Sequence, residues 1–134
     1  MTELKPTERE LDLLKILWQR ERATVREIYD ELHTRDTQLA YTTVLTLLQN
    51  MERKGLVRHE QQGKAYLYCA AVKRDGTFRD LAGSFLDRVF DGAMSEYVVH
   101  ALESQPPTAQ ELDEIEAVIA EHRARLNQRK GKQP

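Results

Sequence analysis

The sequence predicts a mainly α fold with one small β-hairpin, and three observations carry that prediction. Apolar residues recur at the three- and four-residue spacing of a helix face in six separate segments. Three of these segments open with a Thr-x-x-Glu box, whose hydroxyl and carboxylate satisfy free N–H groups of a first helical turn. Between the third and fourth segments lie two short stretches of strand character around Gln61-Gln62-Gly63-Lys64.

The first helix is expected from about Glu8 to Gln19, behind Thr7-Glu8-Arg9-Glu10, with Leu11, Leu14, Leu17 and Trp18 facing inward. The second, behind Thr24-Val25-Arg26-Glu27, runs from about Val25 to Leu32 and turns Val25, Ile28 and Leu32 to the core. The third runs from about Ala40 to Lys54 with Val44, Leu47, Leu48 and Met51 inward. Gly55 follows where a left-handed cap residue belongs. The strands are Leu56–Glu60 and Ala65–Ala70, with Gly63 in the turn. In the second strand Tyr66 and Tyr68 share one face, Leu67 and Cys69 the other.

After a break over 72–76, Thr77-Phe78-Arg79-Asp80 reads as a weaker box opening a fourth helix. That helix carries Phe78, Leu81, Phe85 and Val89 on one side until Asp91-Gly92 interrupts it. The fifth carries Met94, Tyr97, Val98, Ala101 and Leu102. Pro106-Pro107 force an extended link, because a residue before proline avoids helical geometry. Behind Thr108-Ala109-Gln110-Glu111, the last helix sets Leu112, Ile115, Ile119, His122 and Leu126 in one seam.

With 134 residues, 40% hydrophobic and 31% charged, the chain has the composition of a small globular protein of one domain, or one small domain plus an extension. No apolar run approaches the roughly 18 to 20 residues of a membrane span. The first residues carry no apolar secretion segment. A single cysteine, Cys69, makes neither an internal disulfide nor a cysteine metal cluster and reads as a small core residue. A cytoplasmic protein with no membrane partner is expected.

Catalysis is not expected. His33, His59, His100 and His122 are scattered over separate elements, and no HExxH, GxSxG, phosphate-loop or dinucleotide fingerprint occurs. No catalytic residue, cofactor or metal follows from these spacings, and His122 reads as a packing residue of the seam.

The net charge of −2 conceals a division. Residues 35–74 carry seven basic and three acidic side chains, residues 76–122 two basic and ten acidic, and residues 123–134 five basic and none acidic. The basic stretch coincides with the third helix and the hairpin. Three helices closed by a hairpin make a winged helix-turn-helix, in which the second and third helices form the DNA-reading pair.

At about 100° per residue, Thr42, Thr46, Gln49 and Arg53 of the third helix fall opposite its apolar side, flanked by Thr43 and Asn50. That face has no acid before Glu52. Threonine is a poor helix former, so its recurrence there points to a role other than solvation. Hydroxyls, amides and a guanidinium can read base edges or donate to phosphate. Phosphate contacts are expected from the edges: Thr24 and Arg26 at the start of the second helix, Tyr41 in the first turn of the third, Arg53 near its end, and Arg58 and Lys64 on the hairpin.

Leu39-Ala40-Tyr41-Thr42-Thr43-Val44-Leu45-Thr46-Leu47-Leu48, followed by Arg53-Lys54-Gly55-Leu56-Val57, looks like a recognition-helix signature. Glu10-Leu11, Leu17-Trp18, Thr24-Val25-Arg26-Glu27 and Ala65-Tyr66-Leu67-Tyr68 match around it, as do Phe85-Leu86 and Phe90-Asp91-Gly92 farther on. Together they resemble the BlaI/MecI/CopY family of bacterial penicillinase-type and copper-responsive repressors, over residues 5 to about 125.

The resemblance implies a winged-helix DNA-binding domain and an α-helical dimerisation domain, acting as a homodimeric transcriptional repressor on a double-stranded operator dyad. It implies that Thr42, Thr43, Thr46 and Asn50 touch bases. Some members carry lysine at the position of Thr42, so operator preference is expected to differ. Two departures stand out. Penicillinase repressors are released by a sensor protease that cuts an Asn-Phe bond in the fifth helix, and the matching bond here is His100–Ala101. Copper-responsive members carry a C-terminal cysteine cluster, which this chain lacks. The releasing signal is left open.

The expected organisation is therefore a winged-helix DNA-binding domain over 1–74, a helical dimerisation domain over 75–127 and a disordered basic tail over 128–134. Phe85, Val89, Tyr97, Leu112, Ile115, Ile119 and Leu126 are the expected dimerisation residues, the alternative being that the seam packs within one subunit. The rival function is a winged-helix protein-interaction module without sequence-specific DNA binding.

Overall fold

A computed structural model describes residues 5–35 and 37–132. They form α1 (Glu8–Arg20), α2 (Val25–Thr34), α3 (Tyr41–Lys54), β1 (Val57–Gln62), β2 (Ala65–Ala70), α4 (Arg74–Phe90), α5 (Met94–Ser104) and α6 (Ala109–Lys132). The chain divides into two compact units, the first ending at Ser84 and the second beginning at Phe85, within α4. Among the described residues, no helix is long and apolar enough to cross a membrane.

In the first unit, both expected capping boxes close. The Thr7 hydroxyl accepts from the Glu10 N–H at 3.2 Å while the Glu10 carboxylate accepts from the Thr7 N–H at 2.9 Å. Thr24 and Glu27 repeat this at 3.1 and 2.8 Å. Each box satisfies donors that the first helical turn leaves free.

The core joins Leu13, Leu14, Ile16 and Leu17 of α1 with Val25, Ile28 and Leu32 of α2 and Val44, Leu48 and Met51 of α3. Leu56, Val57 and Tyr68 close it. Leu13 and Ile16 were not among the expected inward residues, whereas Leu11 and Trp18 are only half-buried. The reason is geometric: α1 packs on α2, α3 and β2 at once, so its covered arc is wider than a single-faced stripe.

The hairpin is longer than expected. Its register runs from Val57↔Ala70 to Gln62↔Ala65 and leaves Gly63-Lys64 as a two-residue turn. Gly63 supplies the positive φ of 64° that this tight turn needs at its first position. At the base, Ala23 pairs with Tyr68 through bonds of 3.0 and 2.8 Å, so the link between α1 and α2 adds a one-residue antiparallel bridge to the two-stranded hairpin.

Two further ties hold this unit together. The buried Glu10 carboxylate accepts from Lys54 Nζ at 2.7 Å, joining the start of α1 to the end of α3. The Trp18 Nε1–H donates to the Val72 carbonyl at 2.9 Å, and its ring meets Phe78 edge-on at 5.6 Å. The box expected at Thr77 does not form. Helix α4 already begins at Arg74, and the buried Thr77 hydroxyl bonds back to the Lys73 carbonyl at 2.8 Å. Asp75 supplies the acidic charge of the first turn.

In the second unit, Asp91 and Gly92 take left-handed φ values of 51° and 81° and stop α4 where the sequence breaks. Phe90 stacks on Tyr97 at 5.3 Å, and Phe85 lies 5.8 Å from the same ring. The Thr108–Glu111 box closes at 3.0 and 3.1 Å. An open apolar cavity of about 270 Å³ is lined by Met94, Tyr97, Val98, Ala101 and Leu102 of α5 and Ile115 of α6.

Among the residues whose burial is described, none of α5 or α6 is buried. Where a disordered basic tail was expected from residue 128, α6 continues through Lys132. Arginine, glutamine and lysine are good helix formers, and cations suit a helix C-terminus. Residues 133–134 lie outside the described part.

Candidate nucleic-acid interface

Helix α3 is held by one side and free on the other. Val44, Leu48 and Met51 lock it into the core, and Gly55, at φ 84°, ends it in a left-handed cap. On the opposite side Thr42, Thr43 and Thr46 are exposed and Asn50 is half-buried. Two of these groups are already partly committed. The Thr46 hydroxyl donates to the Thr42 carbonyl at 2.9 Å, which leaves its methyl and lone pairs facing outward. The Asn50 side-chain oxygen accepts from Arg53, which leaves the amide N–H groups free to donate. The face therefore offers free hydroxyls at Thr42 and Thr43, a methyl and acceptor at Thr46, and donors at Asn50. Base edges in a major groove present the complements of these groups.

The edge residues differ in how they stand. The Thr24 hydroxyl is occupied as an acceptor in its capping box. Arg26 is exposed, 3.6 Å from Asp30 and 5.6 Å from the centre of the Tyr29 ring. Tyr41 opens α3 with its ring 5.6 Å from that same Tyr29 ring. Arg53 is exposed on the reading side, and Lys64 is exposed in the hairpin turn. Arg58 stands apart: strand alternation puts it with Glu60 and Cys69, on the face opposite His59 and Tyr66. The structure does not bring it to α3.

Sequence reasoning missed two positions. Tyr29 is the ring shared by Arg26 and Tyr41; its three-residue spacing from Arg26 was a readable signal, whereas its meeting with Tyr41 is tertiary. Glu52, the first acid on α3, is bound by His59 Nδ1 at 2.7 and 2.8 Å. Nothing in the linear pattern joins those two.

Burial pushes the Tyr68 phenol above its ordinary pKa, with Glu52 adding to the effect. The Thr24 N–H bonded to Glu27 lowers the Glu27 carboxyl against a smaller burial effect, and Arg20, 3.6 Å away, lowers it further.

In the second unit Phe85, Val89, Leu112, Ile115, Ile119 and Leu126 are exposed and Tyr97 is half-buried. The His100–Ala101 bond lies inside α5, with the His100 ring 5.6 Å from Phe90.

A sequence profile of the penicillinase repressor family matches residues 6–121. The chain is 25% identical over 116 residues to the penicillinase repressor of Bacillus licheniformis, covering 87% of this chain and 90% of that protein. It is 35% identical over 107 residues to the transcriptional regulator BlaI of Mycobacterium tuberculosis, covering 78% and 75%. The solved DNA-binding domain of the repressor BlaI aligns with a TM-score of 0.48 at 20% identity, over 55% of this chain and 88% of that one. With the profile match running from Pro6 through the winged helix and into α6, the chain belongs to the penicillinase repressor family of DNA-binding transcriptional repressors.

Proposed function

We propose that this protein is a homodimeric repressor that reads an operator dyad, with Thr42, Thr43, Thr46 and Asn50 of each subunit in a major groove. The observation that carries the reading is the polar outer face of α3, free of acid before Glu52 and opposite the buried Val44, Leu48 and Met51. Arg26, Tyr41, Arg53 and Lys64 ring that face and contact the phosphates, with the Thr24 N-terminus of α2 beside them. Arg58 is left out of this set.

Dimerisation is supported by the apolar side chains that α5 and α6 leave in water. A two-fold pair doubles the number of bases read and places half-sites about 10 bp apart, or a multiple of that. Release follows a signal that acts on the second unit, and His100–Ala101 is the bond at which family-type proteolysis would act.

The test is selection from a random duplex pool at two salt concentrations. Enrichment of a dyad with half-sites one or two helical turns apart is the expected result. Binding without enrichment that vanishes as salt rises indicates nonspecific electrostatics and overturns sequence-specific repression in favour of a protein-interaction module.

A further inference from the structure

We propose that His59 is a positioning residue for DNA binding: it clamps the wing to α3 through Glu52 and so holds Lys64 against the phosphate backbone. The proposal rests on the DNA-reading function given above. His59 shares a hairpin face with Val57, Gln61, Tyr66 and Tyr68. Its Nδ1 lies 2.7 and 2.8 Å from the two oxygens of Glu52, one residue before Arg53 on α3. Its ring is packed 4.6 Å from Tyr66 and 5.6 Å from Tyr68.

The position of this clamp along the hairpin gives it its role. Up to its own level the hairpin is anchored, because its cross-strand partner Tyr68 is buried and doubly bonded to Ala23. Beyond it every residue from Glu60 to Tyr66 is exposed. A free two-stranded hairpin is marginal in water, so the tip takes its direction from the side chains that hold each face of the hairpin near its base. On the other face the exposed Arg22–Glu60 pair, at 3.7 Å, ties the hairpin to the α1–α2 link and not to α3. The Glu52–His59 bond is therefore the tie that sets the wing tip relative to the reading helix. It also accounts for a carboxylate beside a face that meets phosphates, since the imidazole occupies both of its oxygens.

The experiment is a double-mutant cycle on duplex binding, with His59→Leu, Lys64→Ala and the pair, each measured over a range of salt. Lys64→Ala is expected to weaken all sequences and to lower the salt slope by about one per subunit. His59→Leu is expected to weaken binding about two- to fivefold, the low end of a side-chain hydrogen bond at a partly exposed site, and to lower the slope equally. In the His59→Leu background, Lys64→Ala then costs nothing further. His59→Gln, which keeps an N–H donor for Glu52, restores most of the affinity.

Additive losses overturn the proposal, because they show Lys64 placed without His59. Full restoration of His59→Leu by Glu52→Gln also overturns it, since charge masking alone would then explain the loss. If His59→Leu does not fold, Glu52→Ala removes the other half of the clamp and the cycle is run on it. Absence of duplex binding by the wild-type chain overturns the DNA-reading function and this proposal together, whereas wild-type binding with additive losses overturns this proposal alone.

Discussion

In the first unit, the apolar faces of α1, α2, α3 and the hairpin meet, and Leu13, Leu14, Ile16, Ile28, Val44, Leu48 and Met51 have no exposed surface at all. In the second unit, no described residue of α5 or α6 is fully buried; Ile119 keeps 49% and Leu126 56% of its surface. Covering one such side chain fully is worth about 1.5–3 kcal/mol, so the first unit has realised that stabilisation within its own chain while the second leaves much of it unrealised. Helix α5 has 11 residues, and a helix of that length is marginal in water without tertiary contacts. On the dimeric reading proposed above, the contrast assigns different requirements to the two halves: the first unit is stabilised by its own core, while the second gains by covering its apolar surface with that of another chain.

The strongest way to break this comparison is to make the second unit's surface unpairable. Ile115→Asp with Ile119→Asp should cost about 4 kcal/mol or more of association free energy, because each carboxylate would be buried unpaired at the interface. Sedimentation velocity should then show monomers, with Trp18 fluorescence, the only tryptophan signal and one from the first unit, unchanged. A variant that still sediments as a dimer would move the interface away from the α6 seam.

The first unit should fail differently. Leu48→Ala removes a fully buried side chain and should cost about 2–5 kcal/mol, read from urea unfolding followed by Trp18. That loss should be independent of protein concentration, whereas the helical signal of the second unit should fall on dilution. Concentration-dependent unfolding of the Trp18 signal would mean that the first unit also depends on a partner.

The two faces of α3 sharpen the contrast further. Thr46→Ala should leave both stability and dimerisation near wild type but cost about 1 kcal/mol on the selected operator only, the low end of a base contact because its hydroxyl proton is already given to Thr42. Competition between selected and random duplex measures it, and unchanged discrimination would remove Thr46 from the reading face. Gly55→Ala should cost about 1–2 kcal/mol in urea unfolding. No atom lies within 4 Å of the added methyl, so the loss is the backbone strain of φ 84° alone.

How much of this was legible in the sequence depends on the range of the interaction. The boxes at Thr7, Thr24 and Thr108, the cap at Gly55 and the turn at Gly63 are local devices, and the sequence states them directly. The polar outer face of α3 was legible because its two sides differ so sharply in chemistry. The covered arc of α1 was not, since three neighbours define it together and none is adjacent in sequence. Thr77 misled for a related reason: the same residue type that caps a helix also fits inside one when its hydroxyl can bond four residues back. Arg58 looked equivalent to Lys64 as a hairpin cation, and only the strand register separates them. The Glu52–His59 clamp needed the hairpin folded onto α3 before it existed.

The smallest expected effect concerns acid. The Thr24 N–H, with help from Arg20, stabilises the charged form of Glu27 in the folded chain and sets its pKa below the ordinary value of 4.5. In the window between 4.5 and that lowered value the unfolded chain binds more protons than the folded one. The contribution of this carboxylate to stability is therefore complete above 4.5, declines as pH falls through the folded value, and is absent below both. Glu27→Gln keeps a carbonyl acceptor for the Thr24 N–H but has no charge to lose, so its urea midpoint should depend less on pH in that window than the wild-type midpoint does. Followed through Trp18, this difference belongs to the first unit alone, and equal slopes for the two proteins would assign acid sensitivity to other carboxylates.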